Sequence, residues 1–195
     1  VKSLINLIGE RQFIDRLNAG FATSEKVSFN ALGDNMGAYP INHGNETNMQ
    51  AAYLFSYTSE PWHTQKWARA IQEKYYGMGP RDAYPGDEDQ GQMSSWYILS
   101  SIGLFQMDGG CSKDPVWLLG SPRFDRVEIL LDNTYYSGKK LIIKAENVSK
   151  DNCYIQYVRF NNKRLSNNYI EWSKLKKGGT LHFIMGDRPN PNAFK

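Results

Sequence analysis

The feature that most constrains this fold is a change of hydrophobic period near Gly103. Before it, apolar residues recur at helical spacing; after it, they alternate. Leu4, Leu7 and Ile8, then Ile14 and Leu17, give short apolar faces separated by Gly9, and Gly20 is read as closing this portion. Residues 33–40 hold three breakers among Asp and Asn, which predicts a loop. Ala51–Tyr57 is an apolar, helix-compatible run. Pro61 suits a helix's first turn, where its missing N–H costs little, and Trp67, Ala70, Ile71 and Tyr75 follow at helical intervals. Residues 77–86 read as a long turn. A further helix from about Gln90 places Met93, Trp96 and Tyr97 on one face, with serines keeping it slim and Gly103 as its cap.

Beyond Gly103, residues 126–131, 140–145, 154–160 and 180–185 read as strands joined by turns such as Tyr136-Ser137-Gly138 and Lys177-Gly178-Gly179. The expectation is an α+β chain. The boundary falls within 104–123, where Gly109-Gly110 and Pro115 break the pattern, giving a helical portion over 1–110 and an antiparallel sheet or sandwich portion over 111–195. No chemistry is expected of the second portion. His182 is placed on the outward face of a strand, and the tail after Met185 is expected to fray.

The chemistry-bearing stretch is Pro85-Gly86-Asp87-Glu88-Asp89-Gln90-Gly91-Gln92-Met93-Ser94-Ser95-Trp96. Three consecutive acids follow a Pro-Gly breaker and enter a helix. On an extended backbone Asp87 and Asp89 would face the same side. Two close carboxylates cannot both ionise freely, so one proton affinity rises, while the helix's amide end favours ionisation of its nearest acid. Opposed shifts of this kind give a site a carboxylate base near neutral pH. A solvated acidic loop with helix-capping aspartates explains the same residues.

Upstream, Asn42-His43-Gly44-Asn45-Glu46 supplies a His, an Asn and a Glu around a glycine. Short polar side chains here suit a hydroxyl-rich ligand, and Asn45 with Glu46 would also suit a hard cation. Helix capping is the competing explanation for both, and a single His beside a turn is commonly a hydrogen-bonded structural residue.

Taken together these segments resemble the carboxy-terminal part of the calcium-dependent alpha-mannosidases of glycoside hydrolase family 92. The resemblance is carried by His43-Gly44-Asn45-Glu46, by Tyr57 with Glu60-Pro61-Trp62-His63-Thr64-Gln65-Lys66, and by the acidic stretch through Tyr97. It continues in Gly120-Ser121-Pro122-Arg123-Phe124-Asp125, Gly178-Gly179-Thr180-Leu181-His182-Phe183 and Met185-Gly186. These occur in the family's order over nearly the whole chain. The resemblance implies part of an (α/α)6 toroid followed by a β-sandwich portion. It implies an inverting, exo-acting enzyme on mannose-containing glycans, with alpha-1,2 linkages expected. It makes Asp89 the general base supported by Asp87, with His43 and Glu46 lining the sugar site and Asn45 near a calcium. Trp62 offers a stacking face, although an aromatic at a helix start commonly belongs to the core. The family's general acid is a Glu farther upstream than this chain reaches, and Glu10, Glu25 and Glu46 do not sit in its motif. The expected partner is therefore the rest of a parent chain, the isolated chain is expected to be inactive, and the expected location is periplasmic or secreted.

Composition narrows the remaining classes. Net charge is +3 with dispersed basic residues, too small to argue for nucleic acid or a membrane surface. No apolar run reaches the roughly 18 residues of a membrane helix. Aromatic content of 13% suits sugar stacking and a packed core equally. Cys111 and Cys153 read as one bridge or two thiols. A non-catalytic carbohydrate-binding or structural module remains the alternative from another class. A phosphorylase on a helical toroid ranks below it, because no phosphate-cradling glycine loop is present.

Overall fold

The computed structural model describes residues 1–195 except Leu32, Gly33, Asp34, Met36, Tyr84 and Asp87. Two compact units divide between Ile98 and Leu99, earlier in the chain than the 110/111 division read from breakers. The reason is local. The two-residue strand β1 (Leu104–Phe105) pairs antiparallel with β2 (Val116–Leu119), so residues before the Gly109-Gly110 turn already belong to a sheet.

The first unit is helical. Helix α1 (Lys2–Ile8) gives way at Gly9 to α2 (Glu10–Ser24). Helix α2 runs through Gly20, where a stop was expected, because Phe21 extends the apolar stripe of Ile14 and is wholly buried. A short helix α3 (Glu46–Met49) is followed by Ala51–Tyr57, wound as a 3₁₀ helix, and by α4 (Trp62–Lys74) with Pro61 at its cap. Trp67 of α4 stacks on Phe21 at a centroid distance of 5.3 Å and donates from Nε1 to Asn18 Oδ1 at 2.8 Å. Phe21 also meets Phe55 of the 3₁₀ segment at 5.9 Å. These rings form the middle of the unit's core. Helix α5 (Gln92–Ser101) carries the junction between the units. Its Trp96 donates from Nε1 to the carbonyl of Met49 at 2.8 Å, tying it to the end of α3.

The second unit holds two sheets over one core. Strands β1, β2 and β7 (Tyr169–Glu171) form the smaller sheet. The larger runs β3 (Arg126–Leu130), β4 (Lys140–Glu146), β8 (Gly179–Gly186), β5 (Tyr154–Phe160), β6 (Lys163–Arg164). A short α6 (Trp172–Leu175) precedes β8. Leu104, Leu119 and Ile170 of the small sheet share a buried cluster with Ile143, Val158 and Phe183 of the large one.

The large sheet is mixed, not antiparallel as expected. Strands β4 and β8 run parallel, while β8 pairs antiparallel with β5. The last strand enters between two antiparallel predecessors, so it must lie parallel to one of them. A register shift between Ile155 and Tyr157 keeps both Ile155 and Val158 inward despite their odd spacing. His182 lies half-buried, between inward Leu181 and Phe183, with Nε2 2.9 Å from Glu146 Oε1. The tail is anchored rather than frayed: Ala193 is buried in the core and Asn190 donates to the Gln156 carbonyl at 3.0 Å. Cys111 and Cys153 are two free thiols. Among the described residues no helix is long and apolar enough to cross a membrane.

Candidate active site

The site is built on two loops of the helical unit. The first, from Asn42 to Glu46, is pinned at its start. His43 donates its backbone N–H to the Phe29 carbonyl at 2.8 Å, and the Asn42 amide donates to the Ala31 carbonyl at 3.1 Å. It ends in a cap: Asn45 Oδ1 accepts from the Thr47 N–H at 3.3 Å and from the Thr47 hydroxyl at 2.9 Å. Glu46 is then the first residue of α3.

The second loop carries the acids. Asp87 lies outside the described residues. Asp89, Gln90 and Gly91 have φ of 36°, 62° and 86°, a left-handed stretch immediately before α5. The extended backbone assumed for the aspartate pair is therefore absent at Asp89. Left-handed non-glycine residues cost on the order of 1–3 kcal/mol and cluster at functional sites. Glu88 holds the stretch in place: its Oε1 accepts from the Ser94 hydroxyl at 2.5 Å, and its carbonyl accepts from the Gln92 N–H at 2.9 Å. The other Glu88 carboxylate oxygen is buried without a hydrogen-bond partner among the described residues. Sequence reading gave Glu88 no role, and its Ser94 contact at i+6 follows no helical spacing that would have revealed it.

The two loops meet at their acids. A hydrogen bond joins the side chains of Asp89 and Glu46, and it holds the Asp89 carboxyl above the ordinary carboxylate range. The negative charge of Glu46 and slight desolvation push the same way. The coupling expected between Asp87 and Asp89 falls on a residue outside the described ones; the described partner of Asp89 is Glu46, which was expected only in the sugar lining. Asp89 is exposed and Glu46 half-buried.

Behind the loops lies an aromatic nest around His43. The sequence put His43 in the ligand lining; the structure puts it behind that lining, with no exposed surface. Its ring packs 4.3 Å from Trp96, 5.0 Å from Tyr75 and 5.4 Å from Tyr76, centroid to centroid. Tyr76 gives its hydroxyl proton to the Met93 carbonyl at 3.2 Å, so it accepts from His43 Nε2–H at 2.8 Å, which assigns the tautomer. Burial pushes the imidazole pKa down to about 3 and raises that of the Tyr76 phenol. His43 is therefore neutral across the physiological range. Trp62 stands in a different cluster, half-buried at the first position of α4, 6.1 Å from the His63 ring, whose Nε2 lies 3.0 Å from Glu60.

A hollow of about 280 Å³ opens beside the acid loop, lined by Tyr76, Tyr97, Ser94 and Ile98 among others. A larger one, about 360 Å³, lies among α1, α2 and Pro40–Ile41; it is mainly apolar and holds none of the candidate side chains. Among the described residues no group of three His, Cys, Asp or Glu side chains is placed to hold a metal.

The model of the glycosyl hydrolase family 92 catalytic domain matches residues 1–187. The chain belongs to glycosyl hydrolase family 92. A family 92 alpha-mannosidase from Bacteroides thetaiotaomicron superposes with a TM-score of 0.81 at 31% identity, covering 97% of this chain and 23% of that enzyme. The same alpha-mannosidase has been solved in complex with mannoimidazole. A family 92 inverting mannosidase from Bacteroides thetaiotaomicron VPI-5482 superposes at 0.78 with 29% identity, over 99% of this chain and 26% of that one. An uncharacterized secreted glycosidase of Arthroderma benhamiae is 28% identical over 189 residues, 95% of this chain and 22% of that protein. The chain thus spans about a quarter of the length of its family 92 relatives.

Proposed function

We propose that this chain supplies the general-base side of an inverting, exo-acting alpha-mannosidase site within a family 92 enzyme. The observation that carries the reading is the pairing of Asp89 with Glu46, which joins two motif segments far apart in sequence within a family 92 fold. The mannosidase relatives support the substrate class.

In the proposed reaction Asp89 accepts a proton from the water that attacks the anomeric carbon on the face opposite the leaving oxygen. Its raised proton affinity suits that task, because a base works best when its pKa approaches the working pH. Asp87 would support it. An inverting enzyme needs a second carboxyl group about 6.5–9.5 Å away to protonate the leaving oxygen. That acid is proposed to come from the part of a family-length enzyme outside these 195 residues, as are the (α/α)6 toroid's remaining helices and the walls that close over the exposed Asp89. Glu46 would face the sugar hydroxyls, and Trp62 would offer a stacking surface.

The donor chemistry fits a hard cation in part. Glu46 and Asp89 crowd two carboxyl groups together, a repulsion relieved by a proton or by a cation, and the Asn45 carbonyl oxygen lies on the same loop. Calcium takes six to eight oxygens, so these residues would furnish a minority of its ligands. Bound there, calcium would grip vicinal hydroxyls and favour a flattened sugar ring. Alpha-1,2-linked mannose is the proposed substrate, and a periplasmic or secreted location accords with the secreted relative.

The test is Asp89→Asn in a family-length enzyme. Turnover of an alpha-mannoside should be abolished while binding of a mannose analogue is largely kept. A near-normal rate would remove the base assignment. The competing reading, a non-catalytic module, is favoured by one observation: Asn45 does cap α3. Calorimetry separates the two, since such a module would bind mannose through this chain alone.

A further inference from the structure

We propose that Gly44, Gly86 and Tyr75 form a clamp that sets the separation of the Glu46 and Asp89 carboxyl groups, making all three positioning residues of the site. The inference rests on the base role given to Asp89 above. Its ground is close backbone approach. A Cβ built on Gly86 would lie 2.5 Å from the Gly44 Cα, 2.5 Å from Tyr75 Oη and 2.9 Å from the Gly44 carbonyl oxygen. A Cβ built on Gly44 would lie 2.9 Å from the Gly86 Cα and would run into the same Tyr75 hydroxyl. Neither glycine has a positive φ. Conformational freedom is therefore not what these positions require; space is. The two main chains touch at a distance that only residues without a side chain permit.

The contact is in register with the chemistry. Gly44 precedes Glu46 by two residues and Gly86 precedes Asp89 by three, so the glycine contact and the carboxyl hydrogen bond are neighbouring rungs between the same two loops. The third member sits behind both. Tyr75 is the C-cap residue of α4, only 4% exposed, with its ring 5.0 Å from His43. Helix α4 is itself fixed by Trp67 stacked on Phe21. The hydroxyl therefore reaches the glycine pair from a packed helix, not from a loop.

The size of the effect follows from the distances. Carbon atoms pack at about 3.5–4.0 Å, so a methyl group at Gly86 would push the loops apart by roughly 1 Å. A 1 Å misplacement of a reacting group costs on the order of 100-fold in rate.

The experiment uses a family-length enzyme carrying these residues. Gly86→Ala should lower kcat on an alpha-mannoside about 100-fold with KM changed less than about threefold. Its crystal structure should show Glu46 and Asp89 beyond hydrogen-bond distance. Gly37→Ala, whose added methyl meets nothing within 4 Å among the described residues, should keep the parent kcat and is the control. If Gly86→Ala fails to fold, Tyr75→Phe keeps the ring, removes the wedged hydroxyl, and should still lower kcat several-fold at unchanged KM. An intact kcat in Gly86→Ala, or in Tyr75→Phe where the first does not fold, would overturn the clamp. So would a Gly86→Ala crystal structure with the carboxyl pair undisturbed. The separation seen in that crystal structure decides the clamp even if Asp89→Asn shows that Asp89 is not the base.

Discussion

Buried His43 makes the helical unit acid-labile by a predictable amount. The imidazole is neutral in the folded chain because burial holds its pKa near 3, whereas in the unfolded chain it titrates near 6.5. Below pH 6.5 the unfolded state therefore binds more protons than the folded one, and stability falls as pH falls. The contribution is complete above pH 6.5 and is lost progressively down to about pH 3. Each pH unit in that window is worth about 1.4 kcal/mol. Between pH 7 and pH 5 the loss should be about 2 kcal/mol. Trp96, whose ring lies 4.3 Å from His43, is a fluorescence reporter of the same neighbourhood. Urea unfolding followed by that fluorescence at pH 7, 6 and 5 gives the slope directly. His43→Gln should be less stable at pH 7, because it loses ring packing, yet much flatter with pH. Equal slopes for parent and variant would refute a neutral, enclosed histidine.

Other outcomes are open to simpler measurements. Trp67→Ala should cost about 3–5 kcal/mol through cavity formation and the loss of its bond to Asn18, read as a lower denaturation midpoint. Glu46→Gln should return the Asp89 carboxyl toward its ordinary range, since its hydrogen bond to Glu46 is the largest cause of its raised affinity; carboxyl-detected NMR titration reports this. The purified 195-residue chain should release no measurable mannose from an alpha-mannoside, and turnover by it would sink the proposal that the acid lies elsewhere.

Legibility in the sequence followed the range of the interactions. The strand at Tyr154–Phe160 was readable from its β-rich run, because period is a local property. The parallel pairing of β4 with β8 was not, because nothing local encodes which strand enters between which. Gly20 misled for a related reason: helix propensity argued for a stop, and burial of Phe21 against Trp67 outweighed it. At the site, the residue types were visible in the two polar segments. What remained hidden was the partner of Asp89, since its union with Glu46 is made by a glycine–glycine contact that leaves no periodic trace. His43 was visible as a polar residue but not as an enclosed one, because the rings around it come from α5 and from the end of α4.

The central position of β8 has a bearing on biosynthesis. Of the five strands in the large sheet it leaves the ribosome last, yet it alone bridges the β3–β4 pair to the β5–β6 pair. Until residues 179–186 emerge, each hairpin waits with an open edge that nothing satisfies, and such edges invite wrong partners. Assembly of this half is therefore expected to be a late, all-at-once event, slowed by the long loop that must close.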